Sequence, residues 1–297
     1  MTAIAVSGLH RAFGAVQAVA GIDLEVETGE IFALLGPNGA GKTTAVEILE
    51  GYLSPDQGQV QVLGFDPATG GSRYRDRIGI VLQSSGIERE LTATEILDHL
   101  GGLYSRPKPS ADLLLLVGLE AKAHARVKTL SGGQRRRLDL AAALVGSPEL
   151  VFLDEPTTGF DPSARREAWE LIRRLASDGV TIFLTTHYLD EASQLADRVA
   201  VMRHGRIVAI GDPDTLGGRH QASALITCRW PPELPLPSLD LPVRIEDGLL
   251  EIETANPTKA LARLTSAAAD AGLELEGLTV SRPTLEDVYL DLVGEAS

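Results

Sequence analysis

Cysteine is almost missing from this sequence of 297 residues, where Cys228 stands alone. A single thiol excludes an internal disulfide and any cysteine-built metal cluster, and its ordinary fate is that of a small buried hydrophobe. Long apolar runs are missing too. The strongest contenders, 113–119 and 140–145, fall well short of the roughly 18 to 20 residues that span a bilayer, so both read as buried helix. Any membrane role then requires a separate membrane subunit. Positive charge is scarce: 27 Lys and Arg face 41 Asp and Glu, for a formal net charge of -14. That balance disfavours a nucleic-acid partner and unaided docking to anionic lipid, since both draw on clustered basic side chains. The first residues lack the basic flank and long apolar core of a secretory signal, which points to a cytoplasmic protein. Internal repeats and low-complexity tracts are also lacking. With 44% hydrophobic and 23% charged residues, what remains is a folded globular chain with room for one large domain and a small one.

Short β-rich runs dominate the first two thirds. Residues 3–28 read as two strands around a turn at Arg11-Ala12-Phe13-Gly14, and further runs lie at 31–35, 60–62, 78–82, 150–153, 180–184, 199–202 and 207–209. Helical patterns at 45–50, 138–145 and 164–176 separate several of them, which predicts an α/β core with a mainly parallel sheet. The strand signal disappears between Gly86 and Leu130, so a helical insert is expected over about 86–147. The core pattern stops near Gly211, and a proline-rich stretch comes next at 231–242. We therefore expect a main domain over 1–220 and a small α+β domain over 221–297. In the latter, Asp247-Gly248 signals a tight hairpin between 243–246 and 249–253, with helices over 258–271 and 285–293 and a strand over 275–281.

The chemistry concentrates in three places. Gly36-Pro37-Asn38-Gly39-Ala40-Gly41-Lys42-Thr43-Thr44 fits the spacing Gly-x4-Gly-Lys-Ser/Thr between an apolar strand and a helix. Its glycines let successive backbone N–H groups converge on phosphate oxygens at a helix N-terminus. Lys42 would reach the β- and γ-phosphates of a nucleoside triphosphate, and the Thr43 hydroxyl would be a ligand for Mg2+. Farther on, the apolar run 150–153 ends in Asp154-Glu155, so two carboxylates emerge at the carboxyl edge of a buried strand, where α/β sheets bind ligands. Asp154 is placed to hold Mg2+, directly or through water, and Glu155 to polarise an attacking water. Third, Leu130-Ser131-Gly132-Gly133-Gln134 opens a helix that Ser131 can cap while exposed N–H groups face an anion. Arg135, Arg136 and Arg137 crowd three cations into its first turn, against the helix dipole, which a nearby phosphate would relieve.

Taken with Phe13, Gln83, Asp161 and His187 in the same order along the chain, these motifs resemble the nucleotide-binding subunit of an ABC transporter over about residues 3–215. The resemblance implies ATP and Mg2+ as cofactors. It also implies a homodimer in which each ATP is closed between one subunit's phosphate loop and the other's Ser131 to Gln134 segment. By the same resemblance Phe13 stacks on adenine, Gln83 links Mg2+ to the contact with a membrane-spanning subunit, and Ser131 and Gly133 bind the γ-phosphate across the interface. Glu155 would be the general base, His187 would steady the γ-phosphate, and Asp161 would lie in the loop that passes signals between the two sites. The tail 282–290, Arg-Pro-Thr-Leu-Glu-Asp-Val-Tyr-Leu, is similar to the drug-export, daunorubicin-resistance-like branch. Two departures stand out: Phe13 replaces a common tyrosine, and Phe160 replaces the usual leucine before Asp161. The implied protein is an ATPase, peripheral on the inner face of the membrane, that powers export through its partner. A soluble ABC ATPase acting on ribosomes or DNA, and a regulator that binds nucleotide without hydrolysing it, remain as alternatives.

Overall fold

The computed structural model describes residues 1–81, 86–218, 223–232, 234–239 and 241–294. The chain forms two compact units, one from Met1 to Pro213 and the other beginning at Asp214.

The first unit starts with β1 (Thr2–Phe13) and β2 (Val16–Glu27), an antiparallel pair that turns at Gly14 and Ala15. The turn is later than the composition implied. Asp56 accepts hydrogen bonds from the Arg11 guanidinium and the Ala12 N–H, both at 2.7 Å, and these keep β1 extended as far as Phe13. Next come β3 (Ile31–Leu35), α1 (Lys42–Leu49) and β4 (Gln57–Val62), which pairs with the free side of β1. After α2 (Gly71–Arg75) and β5 (Ile78–Val81), residues 86–143 hold α3 (Ala93–Gly101), α4 (Ser110–Leu116) and α5 (Gly132–Ala143). Thr92 and Glu95 close a capping box on α3, which fixes where that helix starts. The unit ends with β6 (Leu150–Asp154), α6 (Pro162–Ser177), β7 (Thr181–Thr186), α7 (Leu189–Leu195), β8 (Arg198–Arg203) and β9 (Arg206–Gly211).

Two sheets result. One is antiparallel in the order β2-β1-β4, and the other runs β5-β6-β7-β3-β8-β9, parallel except for β9. Strands β3 and β7 are buried along their whole length, as a sheet covered on both faces demands. Phe183 packs between Phe32 and Phe152, with ring centroids 5.5 and 5.8 Å away. The antiparallel sheet lays Ile4, Val6, Leu9, Leu24 and Val60 on the same core.

In the second unit β10 (Ala224–Arg229), β11 (Val243–Glu246) and β12 (Leu249–Thr254) precede α8 (Pro257–Asp270), β13 (Thr279–Ser281) and α9 (Leu285–Gly294). The sheet is antiparallel in the order β11-β12-β10-β13. Asp247 and Gly248 turn the hairpin with φ of 50° and 79°, the left-handed pair its two-residue turn requires. Cys228, fully buried, packs with Ile226, Leu250 and Ile252 under Ala260 and Leu264 of α8. The strand expected over 275–281 keeps only its last three residues, because the chain turns at Gly277 with φ 64°. The architecture is thus α/β, with an antiparallel subdomain, a helical insert and a small α+β unit.

Candidate functional site

Strand order assembles the site. β3 lies beside β7 and β7 beside β6, in parallel, with Leu35 opposite Thr186 and Asp154 opposite Thr185. Parallel strands direct the segments beyond their carboxyl ends to one edge of the sheet. Here that edge receives the loop 36–41, the pair Asp154-Glu155 and His187.

The loop has the shape its glycines predict. Gly41 sits at φ 102°, and a Cβ there would strike the Ala18 carbonyl oxygen, while one on Gly36 would strike that of Met202. Pro37, Asn38, Gly39 and Ala40 complete the bend into α1, with Asn38 and Gly39 exposed and Ala40 buried. Lys42 folds back over the loop, its Nζ donating to the carbonyls of Gly36 at 2.7 Å and Pro37 at 3.1 Å. Burial lowers its ammonium pKa, and the nearby Glu155 and Asp154 carboxylates partly offset this. In the first turn of α1, Thr43 is exposed and Thr44 half-buried.

Asp154 ends β6, and its Oδ1 accepts a short hydrogen bond from the Thr185 hydroxyl. Glu155 then takes φ 46°, the left-handed region that a non-glycine residue enters only at a cost. Its N–H donates to Thr185 O at 3.0 Å, and its carboxylate meets His187 Nδ1 at 3.0 Å and the Thr158 hydroxyl at 3.2 Å. The general-base candidate and the histidine candidate are therefore in contact. Asp154 and the Thr43 hydroxyl offer the hard oxygen donors that suit Mg2+. With the loop amides and Lys42 they make a donor set fit for a Mg-bound triphosphate.

The remaining candidates fall elsewhere. Ser131 and Gln134 form a reciprocal capping box on α5, Gln134 N donating to Ser131 Oγ at 3.2 Å and Ser131 N to Gln134 Oε1 at 2.9 Å. Ser131 and Gly132 are exposed, and a Cβ on Gly132 would meet nothing within 4 Å, so the amino end of α5 opens outward. Among the described residues no hydrogen bond joins Ser131–Gln134 to the phosphate loop. Asp161 caps α6, its Oδ1 accepting from the N–H groups of Ser163 and Ala164 at 2.9 Å each. Phe13 ends β1 rather than sitting in a turn, 47% exposed, with the Arg11 guanidinium 5.0 Å from its ring centroid. Gln83 lies outside the described residues.

Comparison with known proteins decides the family. The daunorubicin resistance ATP-binding protein DrrA3 of Streptomyces coeruleorubidus is 39% identical over 99% of this chain and 96% of its own length. The chain belongs to the ABC transporter family. The family model "ABC transporter" matches residues 19–158, and a model for the C-terminal domain of ABC transporter domain-containing proteins matches 225–284. The Nod factor export ATP-binding protein I of Rhizobium sp. strain N33 is 41% identical over 98% of this chain and 97% of its own length. Among solved structures, cbiO1 of Clostridium perfringens, part of the cbiONQ ABC transporter complex, superimposes with a TM-score of 0.65 at 29% identity. The match covers 72% of this chain and 89% of that one. The protein is an ATP-binding, ATP-hydrolysing subunit of an ABC transporter, and the ribosomal, DNA and non-hydrolysing alternatives lose their ground.

For an ABC ATPase of this kind, one site residue carries no motif of its own. Arg136 does not wait for a phosphate beside Arg135 and Arg137. It turns inward and donates to the carbonyls of Asp154 at 2.8 Å, Pro156 at 3.2 Å and Glu155 at 3.2 Å, clamping the turn that carries the carboxylates. Desolvation lowers its pKa, against the pull of Asp139, Asp154, Glu191 and Glu155. Arg137 pairs with Glu167 at 3.4 Å instead. The signal is available in the helix period, since 136, 140 and 143 share one face and Leu140 and Ala143 are buried.

Proposed function

We propose that two copies of this subunit close head to tail around ATP, each phosphate loop facing the other copy's Ser131–Gln134 segment, and so drive export through a separate membrane-spanning subunit. The single observation that carries the hydrolytic part is the Glu155 carboxylate, held by His187 Nδ1 at 3.0 Å and by Thr158 at 3.2 Å on a left-handed turn. A carboxylate fixed in that way is pre-oriented to accept a proton from water. His187, once the γ-phosphate is beside it, would exchange its contact with Glu155 for one with phosphate oxygen. Lys42 would trade the Gly36 and Pro37 carbonyls for the β- and γ-phosphates, and the loop amides would complete their cradle. Thr43 and Asp154, with Gln83, would hold Mg2+, which supplies charge neutralisation for the developing negative charge. Phe13 would offer its exposed ring to adenine. Asp161, at the start of α6, would carry the signal between the two sites.

The outward-facing amino end of α5, which among the described residues makes no hydrogen bond to the phosphate loop of its own chain, supports a site shared between copies. Among the described residues no helix is long and apolar enough to cross a membrane, which supports attachment to the inner face of the membrane through a partner. Relatives named for daunorubicin resistance and Nod factor export support a drug-like or lipid-like cargo moved outward, with no role for nucleic acid. The decisive experiment is Glu155→Gln. The variant should bind ATP with wild-type affinity, lose steady-state turnover by at least about a hundredfold, and accumulate as an ATP-bound dimer in size-exclusion chromatography. Unchanged phosphate release would sink the general-base role.

A further inference from the structure

We propose that Glu191 is a positioning residue for ATP hydrolysis, fixing the spacing between Glu155 and His187 through Thr157 and Trp169. The inference rests on the roles given above to Glu155 and His187. Glu191 lies in the first turn of α7, four residues after His187, and is completely buried. Its Oε1 accepts two hydrogen bonds, from the Thr157 hydroxyl at 2.8 Å and from the Trp169 indole N–H at 3.2 Å. Its Oε2 is equally buried and has no hydrogen-bond partner among the described residues. Packing alone gives no reason for a carboxylate here, because an apolar side chain of the same size would fill the space without the desolvation cost. What an apolar side chain could not do is join three pieces of backbone.

Those pieces are the ones that matter. Thr157, fully buried, lies two residues beyond Glu155 and its left-handed turn. Trp169 belongs to α6, the helix that Asp161 caps. Glu191 itself anchors α7, the helix entered directly after His187 and Tyr188. The 3.0 Å contact between His187 and Glu155 bridges the two segments that the Glu191 carboxylate ties together. A parallel tie runs along the surface, where Arg165 of α6 meets Asp190 at 3.3 Å and lies 4.7 Å from the Tyr188 ring centroid. The Tyr188 ring is in turn 4.0 Å from that of His187. Arg136 separately holds the Asp154, Glu155 and Pro156 carbonyls, so the turn is pinned at both ends.

The test measures kcat and KM for ATP, equilibrium ATP binding and thermal midpoint on the full-length protein carrying Glu191→Ala, Glu191→Gln, Thr157→Val and Glu155→Gln. Glu191→Ala should lower kcat at least about tenfold with ATP binding changed by no more than about twofold, because a displaced base costs rate and not nucleotide affinity. Glu191→Gln keeps an oxygen acceptor at Oε1 and should recover kcat to within about threefold of wild type. Thr157→Val should resemble Glu191→Ala, and combining the two should cost no more than either alone, as members of one contact do. Wild-type kcat in Glu191→Ala would overturn the proposal, and so would a parallel loss of kcat, ATP binding and thermal midpoint that Glu191→Gln fails to rescue. If Glu191→Ala does not fold, Thr157→Val against wild type carries the comparison, and unchanged turnover there overturns it equally. Full hydrolysis by Glu155→Gln would instead remove the general-base reading, whatever the Glu191 variants do.

Discussion

Glu50 carries its carboxyl into the protein at the carboxyl end of α1, where burial, Asp154 and Glu47 push its pKa up to about 8. The helix dipole works in the same direction, since a negative charge is disfavoured at a helix C-terminus. The folded state thus keeps a proton that the unfolded chain gives up near its ordinary value of 4.5. Stability should fall as pH rises from there to about 8 and level off beyond, the whole effect amounting to a few kcal/mol as an order of magnitude. Glu50→Gln removes the titration. It should match wild type near pH 4.5 and be the more stable protein near pH 8, which urea unfolding at the two pH values would decide. Arg136 offers a second residue-scale test. Arg136→Met keeps the stem and deletes the donors, leaving the Asp154, Glu155 and Pro156 carbonyls without their clamp. A loss of roughly 2 kcal/mol is expected, at the lower end for charged hydrogen bonds because the side chain is only partly buried, together with a drop in kcat. Arg136→Lys should not restore it, since one ammonium cannot span three carbonyls as a guanidinium does. Equal unfolding midpoints for Arg136→Met and wild type would mean that the clamp holds nothing in place.

Elements explain why some of the site is legible in the sequence and some is not. The phosphate loop, Asp154, Glu155 and His187 come after apolar strands, and a strand that is buried on both faces announces itself as a short apolar run. The pairing of those strands then brings the four features to one edge. Arg136 carries only a faint signal, because its charge argues for the surface and its helical phase alone argues for the interior. α2 and α7, of five and seven residues, are too short to show a period, and so Glu191 gives no signal despite standing four residues from His187. Ser131 is readable as a cap, and that raises a difficulty for any experiment on it. Removing the hydroxyl breaks the capping box on α5, worth about 1 kcal/mol, as well as any phosphate contact across a dimer. Ser131→Asp separates the two effects. Aspartate caps as well as serine and suits the helix dipole, yet it sets a negative charge where phosphate oxygens would approach. The variant should melt with wild type and bind ATP as a monomer, but fail to dimerise or hydrolyse. An active Ser131→Asp protein would rule out the shared site.

At the scale of the whole molecule the α/β class is legible from strands alternating with helices, while the first strand of the second unit, β10, is not. It holds Ala224, Leu225, Ile226 and Cys228 as its apolar signal, interrupted by Thr227 and ended by Arg229, so its pairing with β12 and β13 depends on partners far along the chain. The division into units has a consequence for stability. Among the described residues, the core cluster of the first unit, from Ile4 to Met202, contains no residue beyond Pro213, and the cluster of the second, built on Ile226, Leu250, Ile252 and Leu264, contains none before it. Each of these two clusters is drawn from its own segment, as independent folding requires. A protein ending at Pro213 should therefore fold cooperatively and bind ATP with wild-type affinity, its phosphate loop, Asp154 and Glu155 all lying within the retained unit. Any contribution of the second unit to dimer persistence or to coupling would then appear as a change in the ATP-dependent dimer, measured by analytical ultracentrifugation, or in turnover at saturating ATP. A truncated protein that aggregates or loses ATP binding would mean that the second unit completes the fold of the first, and the two clusters would have to be treated as one cooperative structure.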